Sequence, residues 1–225
     1  MAAEIHTISL ALPLGMGKVN CYLIKTEQGQ VLIDTGGSNT SAVLLRELEA
    51  AGSRPGSLKL VVLTHGDFDH IGGAAALRKA YGAPLAMHSA DADSARRGDM
   101  FTNRKRPNFI VRALVPLLMR FGKDERFEPD LLLDDGFDLK PYGLEAVVLS
   151  IPGHSKGSLG VLTSAGELFC GDLFENEKEP GLNGLMDDPA AGRISLARLA
   201  EMNVKMVYPG HGQPFGFEKL ADWLP

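Results

Sequence analysis

The chain has 225 residues, enough for one domain with a substantial core. Its 44% hydrophobic and 23% charged residues are ordinary for a soluble globular protein, and 23 basic against 28 acidic side chains, net −5, speak against a general nucleic-acid binder with a broad basic face. Two cysteines, Cys21 and Cys170, are too few for a disulfide scaffold; residues 1–14 lack a charged head and apolar block, and no run is long enough to span a bilayer, so a cytoplasmic protein with reduced thiols is expected.

The first third reads as strands at 5–12, 20–25 and 30–34, the last two separated by the turn-like Glu27-Gln28-Gly29. The third strand ends on Asp34-Thr35-Gly36-Gly37, and Val43, Leu44, Leu45 and Leu48 on one side predict a helix over 41–50. Leu60-Val61-Val62-Leu63 suits a strand buried on both faces. A helix over 73–81 stops at Gly82, and a strand follows at 85–88. Residues 90–129 change texture. Arg96, Arg97, Arg104, Lys105 and Arg106 cluster there, ahead of an apolar stretch from Phe109 to Phe121, which predicts a helical insertion interrupted near Pro116. Strands resume at 144–151, 157–163 and 167–170. A helix over 189–202 is capped by Asp188 with Pro189 in its first turn, and a last strand covers 204–208. Buried strands alternating with helices predict an α/β domain.

The chemistry-bearing residues sit just after strands: Asp34, His65, His154, Asp172 and His211. The segment His65-Gly66-Asp67-Phe68-Asp69-His70 places four metal-type donors in six residues, after an apolar strand and before an Ala/Gly-rich helix. Unpaired carboxylates packed so closely would repel one another, and a divalent cation removes that cost. His6 and His88 lie apart and read as surface or satisfied core histidines. Asp34-Thr35-Gly36 also has the form of an aspartic-protease loop, but that chemistry needs two such carboxylates and the chain has one copy.

Thr64-His65-Gly66-Asp67-Phe68-Asp69-His70 resembles the His-x-His-x-Asp-His signature of the metallo-β-lactamase superfamily, with Asp67 in place of the second histidine. Pro152-Gly153-His154-Ser155-Lys156-Gly157-Ser158, Cys170-Gly171-Asp172-Leu173-Phe174 and Tyr208-Pro209-Gly210-His211-Gly212 are similar to the later loops of that family, in its order, and Asp34-Thr35-Gly36 matches upstream. The resemblance implies a four-layer αββα sandwich over residues 1–225, with the insertion at about 90–129. It also implies a binuclear site: His65, Asp67 and His154 around one ion, Asp69, His70 and His211 around the other, and Asp172 between them. A metal-bound hydroxide would be the nucleophile, oriented by Asp69 as the catalytic carboxylate, while Asp34 would hold the ligand loop by hydrogen bonds.

Zinc is the first expectation for the two divalent ions. Asp67, a harder donor than imidazole, moves preference toward iron or manganese. With Asp67, Asp69, Asp172 and one hydroxide ionised, the charge of two divalent ions is fully offset, which predicts a weaker Lewis acid than a histidine at 67 would give. The expected function is hydrolysis of a small ester, thioester or lactone, with a glyoxalase II-like branch as the nearest pattern. The chain ends soon after His211, short of the C-terminal helical region of that branch. Alternatives are an iron-dependent redox enzyme, a phosphodiesterase, or a non-catalytic metal-binding module on the same fold. Arg104 and Lys105 are candidate anchors for an anionic group of a small-molecule substrate. The apolar run of the insertion could line the pocket or form a homodimer contact. Neither nucleic acid nor a membrane span is expected.

Overall fold

The computed structural model describes residues 3–102, 104 and 108–224. Lys105, expected as a substrate anchor, lies outside the described residues.

The amino-terminal half forms one six-stranded sheet in the order β1 (Glu4–Ala11), β2 (Lys18–Thr26), β3 (Gly29–Ile33), β4 (Leu58–Val62), β5 (Leu85–His88) and β6 (Leu131–Leu133). β1, β2 and β3 run antiparallel through short turns; β3 to β6 run parallel, and their crossovers carry the helices. Those helices are α1 (Ser41–Ala50), the single turn α2 (Phe68–Ile71), α3 (Ala74–Tyr81), α4 (Ala92–Arg97) and α5 (Phe109–Leu118). The second sheet comprises β7 (Ala146–Ser150), β8 (Leu159–Thr163), β9 (Glu167–Asn176), β10 (Gly181–Leu182), β11 (Met206–Gly212) and β12 (Phe215–Gly216), with the order β12-β11-β9-β8-β7 and β10 alongside β9. α6 (Pro189–Ala200) crosses from β10 to β11.

Strand alternation sorts the apolar residues into three layers. Leu23, Leu32 and Val61 face Leu44 and Leu48 of α1 and Leu77 of α3. Ile24, Val31 and Val62, one residue out of phase, face Val148, Val161 and Phe169 across the inter-sheet core. Leu149, Leu162 and Leu168 turn outward onto Leu196 and Leu199 of α6. The result is the four-layer αββα sandwich. Strands covered on both faces must be apolar at nearly every position, which is why Leu60-Val61-Val62-Leu63 and Leu159–Thr163 show no alternation in sequence.

Three boundaries depart from the sequence expectation by more than two residues. β9 extends through Asp172 to Asn176, and β11 through His211 to Gly212, so both residues lie inside strands rather than on loops after them. The pairing of β9 with β11 slips at Tyr208/Pro209 and again at Pro209/His211, and these irregularities re-aim the two side chains. α5 continues through Pro116 to Leu118 instead of breaking there. Proline in the last turn removes one backbone hydrogen bond and leaves the preceding turns intact. No residue of α5 is fully buried, and Phe109 and Leu117 are 81% and 74% exposed. Among the described residues no helix is long and apolar enough to cross a membrane.

The Asp188 carboxylate accepts from the backbone N–H of Ala190 and Ala191 at 3.1 and 3.0 Å, capping α6. Asp188→Ala is expected to lower the unfolding free energy by about 1 kcal/mol in denaturant titration. Arg198 of α6 donates to both oxygens of Asp135 at 2.8 and 3.0 Å, which holds that carboxyl below its ordinary value against a smaller opposing effect of burial. Both side chains are close to half exposed, so the pair contributes below about 1 kcal/mol. A carboxyl depressed in the folded state stabilises above its unfolded pKa and loses that contribution as pH falls through its folded value. The stability difference between wild type and Asp135→Asn is therefore expected to be full at neutral pH and to vanish well below about pH 3.9.

Candidate metal centre

The seven sequence-predicted donors converge at one end of the sandwich, where β4, β9 and β11 and the turn after Ile151 meet. Two compact groups stand out, each with its donor atoms within 4.8 Å of one another: His65, His154 and Asp172, and Asp69, His70 and His211. Asp172 joins them, with Oδ1 3.3 Å from His70 Nε2 and Oδ2 3.4 Å from His211 Nε2 and 4.0 Å from His154 Nε2. Asp67 stands beside the first group. Its Oδ2 lies 3.0 Å from His154 Nε2 and 3.7 Å from His65 Nε2.

Asp34 organises the loop that bears His65 and His70. It follows β3 with φ 59°, a left-handed backbone that short polar side chains tolerate. Oδ1 accepts from the Thr64 backbone N–H, and Oδ2 accepts from the Thr64 hydroxyl and from His70 Nδ1, all at 2.8 Å. Since the Thr64 hydroxyl donates to Asp34, its oxygen is left to accept from His65 Nδ1 at 3.0 Å. One carboxylate thus fixes two imidazoles with Nδ1 protonated and Nε2 turned into the centre. His211 is fixed in the same sense by donating Nδ1–H to the Lys18 carbonyl at 2.8 Å.

The Nε2 atoms of His65 and His70 and Oδ1 of Asp172 are buried without a hydrogen-bond partner. Buried polar atoms normally have partners, so several orphans aimed into one volume mark a place for a shared ligand. The charge points the same way. Burial pushes the His65 imidazole well down. Burial also opposes charge on His70, but Asp172, Asp34 and Asp69 outweigh it and raise that group well above the ordinary range. His154 is raised by Asp67 and Asp172 against its burial. For His211, burial pulls down while Asp172 and the hydrogen bonds to Asp172 and Asp69 push it up to about 11. Asp67 and Asp172 stay ionised despite their burial, held down by the histidines around them. Carboxylates that hold three of the four imidazoles above their ordinary value leave the centre short of positive charge. Divalent cations fit both the donor chemistry and the deficit.

The centre also uses residues that the sequence reading passes over. Asp91, 7% exposed, accepts from the Gly66 N–H at 3.0 Å, the Ser155 hydroxyl at 2.6 Å and the Gly157 N–H at 3.1 Å, so it joins the His65 loop to the His154 loop. The available signal is its place just after the buried strand β5, which repeats that of Asp34 after β3. Tyr22 and Asn20 of β2 donate to the Pro209 carbonyl at 2.6 and 3.2 Å, and Asn20 also donates to the Gly212 carbonyl at 2.7 Å, holding the His211 segment against the opposite sheet. Gly171 has φ 51°, and a Cβ there would strike the Thr64 hydroxyl that Asp34 positions.

Arg104 reaches the centre from the 90–129 segment, and its guanidinium is taken up. Nη1 contacts Asp67 Oδ1, Nε lies 2.6 Å from Asp187 Oδ2, and Nη2 donates to the His154 carbonyl at 3.1 Å. His6 pairs with Glu4 at 2.7 Å and His88 accepts from the Ala90 N–H, both apart from the centre.

An αββα sandwich carrying two histidine–carboxylate groups at one end, where its two sheets meet, defines a class of metal-dependent proteins. The metallo-beta-lactamase superfamily profile matches residues 14–211, and the chain belongs to that superfamily. It is 30% identical over 223 residues to the human acyl-coenzyme A thioesterase MBLAC2, covering 90% of this chain and 76% of that protein. It is 27% identical over 202 residues to the probable metallo-hydrolase YflN of Bacillus subtilis, covering 82% of this chain and 75% of that one. Among solved structures, TTHA1623 in a di-iron-bound form superposes with a TM-score of 0.70 at 29% identity, covering 96% of this chain and 98% of that chain. TTHA1429, a metallo-beta-lactamase family protein from Thermus thermophilus, superposes with a TM-score of 0.71 at 26% identity, covering 97% of this chain and 77% of that chain.

Replacing Asp34 by Asn keeps size and backbone tolerance but weakens the acceptor for His70 and the Thr64 hydroxyl. Metal affinity is expected to fall about 10- to 100-fold, measured by competition with a chromophoric chelator, with little change in overall secondary structure.

Proposed function

We propose that the protein is a binuclear metallohydrolase acting on an ester or thioester with an apolar acyl chain. The observation that carries this reading is a cavity of about 430 Å³ whose floor is Asp67, Asp69, His154, Asp172 and His211. Its walls are largely apolar, with Leu12, Met16, Met100, Val115, Leu118 and Leu185 among them. The described residues that line it include Glu175 and Glu177 but no Lys or Arg, a lining that favours a substrate portion without negative charge. The relationship to an acyl-coenzyme A thioesterase supports the same class.

His65, His154, Asp67 and Asp172 would hold one ion, and Asp69, His70, His211 and Asp172 the other. Zinc, iron and manganese all suit this donor set, and iron is the metal of the related TTHA1623 structure. When bound, the pair lowers the pKa of the attacking water and draws charge from the substrate carbonyl oxygen. The chain supplies the rest. α5 and the Leu185 segment seat the acyl chain and keep bulk water from it. Asp69, which faces the cavity, orients the water and takes its proton. The water oxygen bonds to the acyl carbon, the C–S or C–O bond breaks, and the leaving thiol or alcohol takes the proton that Asp69 carried. The apolar wall favours an acyl chain over the polar sugar and base groups that flank a phosphodiester.

The test is a panel of acyl-coenzyme A thioesters and nitrophenyl esters of increasing chain length, assayed after restoring zinc, iron or manganese. kcat/KM is expected to rise with each added methylene by up to about fourfold until the cavity is full. Leu118→Asp should abolish that rise while short esters are still turned over, and Asp69→Asn should abolish turnover at every length. Equal rates at all lengths, or turnover of phosphodiesters alone, would reject the proposal.

A further inference from the structure

A carboxylate at position 67, where the superfamily signature has an imidazole, adds one negative charge to a buried centre. Among the donors alone that charge is unopposed. The structure places Arg104 against it. The Arg104 side chain is 11% exposed, and the Asp67 side chain 12%. The two oxygens of Asp67 are divided between different tasks: Oδ1 faces the arginine, while Oδ2 faces His154 and His65. Asp187, 24% exposed, and the His154 carbonyl take the remaining guanidinium edges and so aim Nη1 at Asp67. Nη2 lies 3.4 Å from His154 Nε2, so the cationic charge sits next to the donors of the first group.

We propose that Asp67 and Arg104 act together as one neutral donor unit, the arginine cancelling the charge that the carboxylate introduces where an imidazole would stand. The inference rests on the binuclear reading above, in which Asp67 serves the first ion. Arg104 is then a positioning residue. It leaves Asp67 one oxygen to offer, and it sets the charge of the centre to that of the histidine-bearing pattern. Asp187 dilutes the effect little, because its charge is partly exposed and screened by water while the Asp67–Arg104 contact is not. A guanidinium suits the task because it is permanently charged and presents several donors in a fixed plane, so one side chain can grip Asp187, the His154 carbonyl and Asp67 at once.

The experiment is a double-mutant cycle read in metal affinity rather than in activity, with zinc dissociation constants taken by chelator competition. Arg104→Met leaves the carboxylate uncancelled and is expected to tighten the weaker site by about tenfold or more. Asp67→His leaves the arginine uncancelled and is expected to weaken it by about tenfold or more. The combined variant, neutral at both positions, is expected to return to within about threefold of wild type, these factors being set by Coulomb interactions at an intermediate effective dielectric. Asp67→Asn, which keeps the native size, should shift affinity in the same direction as Asp67→His and so separates charge from poor fit of the ring. Weaker zinc binding by Arg104→Met would overturn the proposal and make the arginine a structural tie for its loop. A combined variant no tighter than Asp67→His would overturn it as well. A wild-type chain that binds no zinc, iron or manganese would instead overturn the binuclear reading on which the proposal stands.

Discussion

The carboxylate of Asp34 is the interaction on which the centre depends. It sits at the end of β3 in a left-handed conformation, 2% exposed, and its two oxygens accept three hydrogen bonds from Thr64 and His70. A buried charge is tolerated only when it is well satisfied, and this one is satisfied by the groups that must be held still. Through the Thr64 hydroxyl it also sets the tautomer of His65. Two imidazoles from one short loop are thereby turned the same way before any cation arrives, which reduces the ordering that binding has to supply.

The other half of the centre comes from the second sheet, so the spacing of the donors is the spacing of the two sheets. That distance is set by close packing of Tyr22, Ile33, Val62, Val161 and Phe169 between them. Polar ties cross the same gap. The Leu159 N–H donates to the Thr64 carbonyl at 2.7 Å, and Tyr22 and Asn20 donate to Pro209. The inter-sheet core is thus a gauge for the metal centre. A residue there that changed volume would move His65 and His70 relative to Asp172 and His211 without touching any of them.

Much of this is legible in the sequence, and the reasons are physical. Strands such as Val31-Leu32-Ile33 and Leu60-Val61-Val62-Leu63 announce burial on both faces, and α1 has the predicted bounds because its apolar stripe, with Leu44 and Leu48 buried, marks its length. The histidines and aspartates of the centre are visible because so many donors in so little chain have no comfortable structural use. Asp172 and His211 read as loop residues because local pattern ends a strand at glycine and proline. The pairing partner that carries β9 and β11 past Gly171 and Pro209 is a distant segment, and the register slips that aim these side chains exist only in the paired sheet. β10 and β12, of two residues each, have no period to detect. The roles of Asp91 and Arg104 are hidden for a related reason: each acts on loops far away in sequence, and each looks locally like a solvated charge.

Asp91 and Arg104 show how differently this centre treats buried charge. Burial pushes the Asp91 carboxyl up, and the Asp67 charge adds to that, while the Ser155 hydroxyl and the Gly66 N–H pull it back. No cation is paired with it among the described residues. Its stabilisation comes from hydrogen bonds to two glycine N–H groups and a hydroxyl, and both glycines are needed: a Cβ at Gly66 would press on Ser94, and one at Gly157 on Asp91 itself. Asp67, closer to the donor atoms, has an arginine instead. The difference follows from position. A carboxylate that only joins two loops can be satisfied by neutral dipoles, which add no net charge near the donor atoms. One that offers an oxygen to the centre changes the centre's charge, and an opposite full charge can offset that change. The 90–129 segment supplies both residues, and it also supplies Met100, Val115 and Leu118 of the cavity wall. One stretch of chain therefore carries the tie between the donor loops, the cation beside Asp67 and the apolar surface. A change of substrate within this fold would be expected to begin in that stretch, with the donor loops left as they are.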